Sequence, residues 1–159
     1  VIDSAYLRVL RKIHDRLADS PAVWVVTGSL GMALQGMPMT VNDIDIQTDR
    51  SGAYEMERRF APFVTRRVTL SEAENIRSHF GRLTIDGIQV EIMGDIQKRR
   101  ADGRWEEPVD PARHRLYVER DGMRIPVLSL AYEYRAYLRL GRREKAEKIR
   151  RWIEGQNAR

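Results

Sequence analysis

The sequence predicts a mixed α/β chain built on a small sheet, with a pair of helices at its C-terminal end. Three observations carry this. Apolar positions repeat at helical spacing near both ends of the 159 residues. Between them lie short β-branched or alternating runs, AVWVVT at 22–27, DIDIQT at 43–48 and IQVEIM at 88–93. Asp-Gly pairs at 86–87 and 121–122 each separate two apolar runs, the strongest short-range signal for a hairpin. Helix, strand, helix, strand, helix, strands and helices in that order fit neither a bundle nor an all-β sandwich.

Taken along the chain, Tyr6, Leu7, Leu10, Ile13 and Leu17 make residues 3–19 an amphipathic helix, which Ser20-Pro21 ends. Residues 22–27 have the uninterrupted apolar character of a strand buried on both faces. Gly28 breaks that run, Ser29 is the expected N-cap of a helix reaching Gln35, and Gly36-Met37-Pro38 closes it. In residues 43–48, Asp43, Asp45 and Gln47 point one way and Ile44 and Ile46 the other. Residues 51–60 form a helix ending before Pro62, and residues 63–69 a strand; residues 71–77 fit no single pattern. Two hairpins follow, 80–85 with 88–93 and 115–119 with 123–128, with residues 95–111 a long polar loop between them. The tail is a helical pair, 129–140 and 142–154, with Ala146, Ile149 and Ile153 as the inner stripe of its second member. One unit spanning 1–159 is expected, with the segment 129–155 packed on it.

Composition narrows the function without locating it. There are 28 Lys and Arg against 23 Asp and Glu, a net charge of +5, which suits nucleotides, polyphosphates or nucleic acid as well as it suits a solvated basic surface. Cysteine is absent, which excludes disulfides, thiolate zinc sites and a cysteine nucleophile, and agrees with an expected cytoplasmic location. No apolar run approaches the roughly 18 residues of a membrane span, so no membrane partner is expected. The opening residues, which begin at Val1 without an initiator Met, are amphipathic rather than a signal peptide, as expected of a trimmed sequence. His14 is assigned to the first helix, His114 to a strand and His79 to packing or surface at a strand start; three scattered histidines make no zinc cluster. Lys98-Arg99-Arg100 reads as part of a solvated loop, and Tyr132, Tyr134 and Tyr137 as core packing of a helix.

One constellation carries chemistry. Gly28 leaves a strand and lets the backbone approach a ligand closely, while the helix that follows presents unpaired N–H groups to a phosphate. Ser29 adds a hydroxyl. Asp43 and Asp45, two apart on one strand, project both carboxylates from the same face, the hard oxygen pair that Mg²⁺ or Mn²⁺ takes when substrate phosphates complete the shell. Glu91, an acid inside IQVEIM, is the candidate third carboxylate; exposure on the solvent face of a sheet would account for it equally.

This run of Gly-Ser, then D-x-D on a strand, then a lone acid on a later strand resembles the nucleotidyltransferase superfamily of the DNA polymerase β type. It looks most like the small single-domain members, such as lincosamide-type and toxin–antitoxin nucleotidyltransferases. The resemblance covers residues 23–48 and 88–93, and the tail LSLAYEYRAYLRLGRREKAEK is similar to the helical segment many relatives carry. It implies a mixed β-sheet flanked by helices and a metal-dependent transfer of an NMP group from an NTP to a hydroxyl acceptor. It also implies metal ions at Asp43, Asp45 and Glu91, with Glu91 available as general base, and a triphosphate at Gly28 and Ser29. The sequence departs from many relatives in lacking an Arg before the D-x-D strand and in its tail basic run; Arg139, Arg142 and Lys145 are the candidate phosphate contacts.

Two other D-x-D chemistries fit less well. Haloacid-dehalogenase phosphotransferases want Thr or Val where Gln47 stands, and metal-dependent glycosyltransferases use larger chains. The rival from another class is a protein of the same fold that binds nucleotide or a protein partner without turnover. The acceptor, whether small molecule, protein or tRNA, and any homo-oligomer lie beyond the sequence, because function sits in the site and not in the fold.

Overall fold

A computed structural model describes residues 1–158. Arg159, the last residue of the expected unit, lies outside the described residues. In chain order the elements are α1 (Ser4–Leu17), β1 (Trp24–Thr27), α2 (Gly28–Leu34), β2 (Ile44–Thr48), α3 (Arg50–Arg59), β3 (Val64–Glu72), β4 (Ile76–Ile85), β5 (Ile88–Lys98), β6 (Arg115–Arg120), β7 (Met123–Leu128), α4 (Leu130–Arg139) and α5 (Arg143–Asn157), with short 3₁₀ turns at Ala61–Phe63 and Pro111–His114.

The seven strands form one sheet in the order β3-β4-β5-β2-β1-β7-β6. It is mixed: β1 runs antiparallel to β2 and parallel to β7, while β2 runs parallel to β5. The outer pairs are hairpins, and the turns Asp86-Gly87 and Asp121-Gly122 hold both residues at positive φ, 51° and 77° in one, 50° and 75° in the other. That is the type I′ geometry whose twist matches a hairpin's strands. Strand β1 is buried throughout, as an inner strand with β-branched residues should be. Strand β2 alternates as its sequence requires, Ile44 and Ile46 fully buried and Asp45 and Gln47 half-buried on the other face.

The apolar side of the sheet is covered by α1, through Val9, Leu10, Ile13 and Leu17, and by α3, through Ala53 and Met56. Each of these side chains contributes about 1.5–3 kcal/mol by leaving water, less for the alanine. A second cluster, centred on Met32, Met37 and Ile149 with Tyr134, Tyr137 and Trp152 around it, fastens α4 and α5 to α2.

Three local expectations are corrected and one open segment is resolved. The N-cap of α2 is Thr27, not Ser29, because Gly28 turns the chain into the helix directly from the strand. Thr27 makes no side-chain capping bond, its hydroxyl being committed to Glu133. The polar loop begins later than residue 95. Asp95, at φ 51°, absorbs a bulge where pairing shifts from His79–Gly94 to Arg77–Gln97, and β5 continues to Lys98. Residues 71–77, ambiguous in sequence, are the ends of β3 and β4 joined by a turn in which Ala73 N–H donates to Ile76 C=O at 2.8 Å. His114 closes a 3₁₀ turn instead of lying in a strand, since Asp110 accepts from Ala112 N–H and starts that turn.

Glycine tests the packing of the short helix. A Cβ at Gly31 would lie 2.7 Å from the Val26 carbonyl oxygen, whereas one at Gly155 in α5 meets open space. Gly31→Ala is expected to cost about 1–3 kcal/mol despite its better helix propensity. Gly155→Ala is expected to be neutral or to add up to about 1 kcal/mol. Urea unfolding midpoints check both signs.

Candidate active site

The pairing of four neighbouring strands sets one row of side chains on the open face. Thr27 on β1 is opposite Asp45 on β2, Asp45 is opposite Glu91 on β5, and Glu91 is opposite Arg82 on β4. Directly paired residues point to the same side of a sheet, so the two acids meet through the register alone. Asp43, two residues before Asp45, joins them. One carboxylate oxygen from each of Asp43, Asp45 and Glu91 lies within 4.8 Å of the others, and all three residues are half-buried.

The cluster is electrostatically uncomfortable. Burial, and then the charges of Asp43, Glu91 and Glu133, push the Asp45 carboxyl up from 3.8 to about 7, with Lys145 opposing. Glu91 is steadied by Gln89, whose amide donates to its Oε1 at 2.9 Å, and by Arg82 at 3.5 Å. Three hard oxygen donors converging with this much mutual repulsion fit a divalent cation, which relieves the crowding that the protein itself does not.

Gly28 is required here for two reasons. Its φ is +65°, and a Cβ on it would run into Asp45 Oδ2. Beside it, Glu133 accepts the Thr27 hydroxyl.

Asp45 and Glu91 open onto a cavity of about 270 Å³ between the sheet and α4, and Gly28 and Arg142 are also on its walls. Ser29 and Lys145 line a smaller adjoining cavity of about 60 Å³, and Tyr137 borders both. The structure therefore brings the three acids, Gly28 and Arg142 together, and places Ser29 and Lys145 next door. Arg139 borders neither cavity; its guanidinium pairs with Glu106 at 2.6 Å.

Four residues that sequence reasoning missed stand on the walls of the larger cavity: Thr27, Lys98, Tyr132 and Glu133. Glu133 is the one buried residue of α4. Its signal was present: Leu130, Glu133, Tyr134 and Tyr137 fall on one helical stripe, and an acid on an inward stripe is unusual. Lys98, assigned to a solvated loop, is instead 9% exposed and bonds the Tyr132 hydroxyl at 3.2 Å, and its burial lowers the ammonium pKa. The Asp95 bulge moves the cavity-facing positions of β5 from Glu91 and Met93 to Ile96 and Lys98. Tyr132 stacks on His114 with ring centroids 3.9 Å apart, and Tyr134 packs in the second cluster as expected. His79 accepts or donates to the Tyr54 hydroxyl at 3.1 Å, a packing role, and His14 pairs with Asp15 at 3.0 Å.

The fold is that of the nucleotidyltransferases. Residues 9–151 match the model of the aminoglycoside-2''-adenylyltransferase family, and the chain belongs to that family. Among solved structures it is similar to a provisionally assigned nucleotidyltransferase from Thermotoga maritima, with 61% identity over 98% of this chain and 96% of that one and a TM-score of 0.87. More distant likeness, of fold alone, extends to ANT(2'')-Ia in complex with adenylyl-2''-tobramycin, at 12% identity over 96% and 92% of the two chains with TM-score 0.61. It extends also to the lincosamide antibiotic adenylyltransferase LnuA with lincomycin bound, at 15% identity over 79% and 81% with TM-score 0.53. Comparison with curated proteins finds no match.

Burial of Glu133 raises its carboxyl from 4.5 to about 7, against the opposing bonds from Thr27 and Gly28. A carboxyl with a folded pKa above its unfolded one holds its proton more firmly in the folded chain. Its contribution to stability is full below 4.5 and is lost as pH rises through about 7, a difference worth about 3 kcal/mol. Unfolding free energy of the metal-free wild type is expected to fall by about that much relative to Glu133→Gln between pH 4.5 and pH 8. Parallel curves for the two proteins would contradict this assignment.

Proposed function

We propose that the chain is a divalent-metal-dependent nucleotidyltransferase that moves the NMP group of an NTP onto a hydroxyl acceptor. The observation that carries this reading is the convergence of Asp43, Asp45 and Glu91, an oxygen of each within 4.8 Å of the others, with Asp45 and Glu91 on the wall of a cavity of about 270 Å³. The acceptor oxygen attacks the α-phosphorus, the bond from that phosphorus to the β-phosphate oxygen breaks, and pyrophosphate leaves.

Asp43, Asp45 and Glu91 would hold Mg²⁺ or Mn²⁺, which when bound lowers the pKa of the attacking hydroxyl and neutralises charge on the leaving pyrophosphate. The protein's own groups do the rest. Glu91 Oε1 is engaged by Gln89, which leaves Oε2 to take the acceptor proton. Gly28 keeps the space above Asp45 clear. Phosphate contact falls to Gly28 and Ser29, with Lys145 beside Ser29 and Arg142 across Tyr137. Arg139 is left to its pairing with Glu106.

Two distant relatives hold antibiotics or an adenylylated antibiotic, which supports a small-molecule acceptor over a protein side chain or a tRNA end. Use of an NTP fits a cytoplasmic location.

Asp43→Asn and Asp45→Asn are each expected to reduce transfer from α-labelled NTPs by more than about 100-fold, as loss of a group serving the transition state does. Circular dichroism should show the fold retained, and the melting temperature should hold or rise as the crowding is relieved. Nucleotide bound equally well with and without Mg²⁺, together with no transfer to any acceptor in a cell extract, would refute the enzyme reading.

A further inference from the structure

Two charged side chains on the large cavity have hydrogen-bonding capacity that the protein leaves unfilled. Glu133 is 5% exposed; its Oε1 takes the Thr27 hydroxyl, while Oε2 has no partner and is shut off from solvent. Lys98 is 9% exposed, its ammonium bonds the Tyr132 hydroxyl, and it forms no ion pair among the described residues. An ammonium has three N–H groups to place and a carboxylate about four acceptor sites. Leaving such groups short of partners is costly, and more so when they are charged. A ligand that brings a donor to Glu133 and an anion to Lys98 removes both costs at once.

Asp45 is on the wall of the larger cavity, no carboxylate among the described residues is on the wall of the smaller one, and Tyr137 borders both. The side with Ser29 and Lys145 suits the triphosphate, which leaves the side with Glu133 and Lys98 for the other substrate. Once Asp45 and Glu91 are committed to cations, the charges remaining on the wall of the large cavity are Glu133, Lys98 and Arg142. One acid facing two cations is a poor receptor for a polycation and a good one for a molecule carrying both signs. Tyr132, Ile96 and Leu140 supply an apolar surface for its carbon skeleton.

We propose that this cavity is the acceptor subsite and that the acceptor is a small zwitterionic alcohol of the hydroxy-amino-acid type. Its ammonium bonds Glu133 Oε2, its carboxylate meets Lys98, and its hydroxyl reaches towards Asp45 and Glu91. This rests on the nucleotidyl-transfer reading. The hydroxyl oxygen forms the new bond to the α-phosphorus, pyrophosphate departs with the electrons of the bond that breaks, and the hydroxyl proton goes to Glu91 Oε2. Such an acceptor differs in charge from the tobramycin of the distant relative.

The test is calorimetric titration of the full chain, loaded with Mn²⁺ and a non-hydrolysable ATP analogue, with L-serine, L-homoserine, L-tyrosine and tobramycin. At least one hydroxy-amino acid is expected to bind, tobramycin is not, and Glu133→Gln and Lys98→Met should each weaken that binding at least about tenfold. Both variants should still bind the nucleotide analogue, which shows that they are folded and that the triphosphate lies elsewhere. Binding of tobramycin alone, binding of none of the four, or hydroxy-amino-acid binding indifferent to both variants would overturn the proposal. So would loss of the nucleotide analogue from folded variants, since the cavity would then hold the nucleotide. Absence of Mn²⁺-dependent analogue binding in the wild type would instead show that the nucleotidyl-transfer reading itself fails.

Discussion

The register of β1, β2 and β5 is the constraint from which the site follows. Asp45 faces Glu91 because β2 runs parallel to β5 with Ile44 opposite Val90 and Ile46 opposite Ile92. Those four apolar residues are fully buried on the face that α1 and α3 cover. A slip of one residue would carry Asp45 into the core and the isoleucines into the cavity, so the packing that stabilises the fold also fixes the separation of the acids. The same register places Thr27 beside Asp45, and so determines where Gly28 turns the chain.

Burying Asp45 and setting it beside Asp43 and Glu91 has a cost that the surroundings do not cancel, as the upward displacement of its carboxyl shows. The protein concentrates that cost on the open face, away from the apolar side, and steadies it from the flank through Gln89 and Arg82. Glu133 reaches in from α4 and accepts the Thr27 hydroxyl, tying the end of β1 to a helix. The second apolar cluster, around Met32 and Ile149, holds that helix pair in place. Charge discomfort at the site is thus carried by two separate regions of ordinary packing, an arrangement expected where a cation or substrate completes the site.

Much of this was legible in the sequence because it depends on period and turn chemistry. The alternation of DIDIQT gives the direction of Asp43 and Asp45, and the Asp-Gly turns give both hairpins. Glu91 was legible as an acid of opposite phase to Val90 and Ile92. Lys98 was not, because a bulge at Asp95 changes which residues of β5 face the cavity, and a bulge leaves no period to read. Glu133 stayed hidden because the helical stripe of α4 was read for its tyrosines, and an acid beside them looks solvated until the sheet is in place. Ser29 was misplaced as a cap because the sequence does not reveal that Gly28 enters the helix at positive φ.

Anomalous diffraction from crystals of the protein soaked with Mn²⁺ and a non-hydrolysable NTP analogue tests the central claim most directly. The account requires manganese density bounded by Asp43, Asp45 and Glu91, with the triphosphate on the Ser29 and Lys145 side of Tyr137. Manganese bound elsewhere, or a triphosphate reaching the site with no manganese between the three carboxylates, would contradict it.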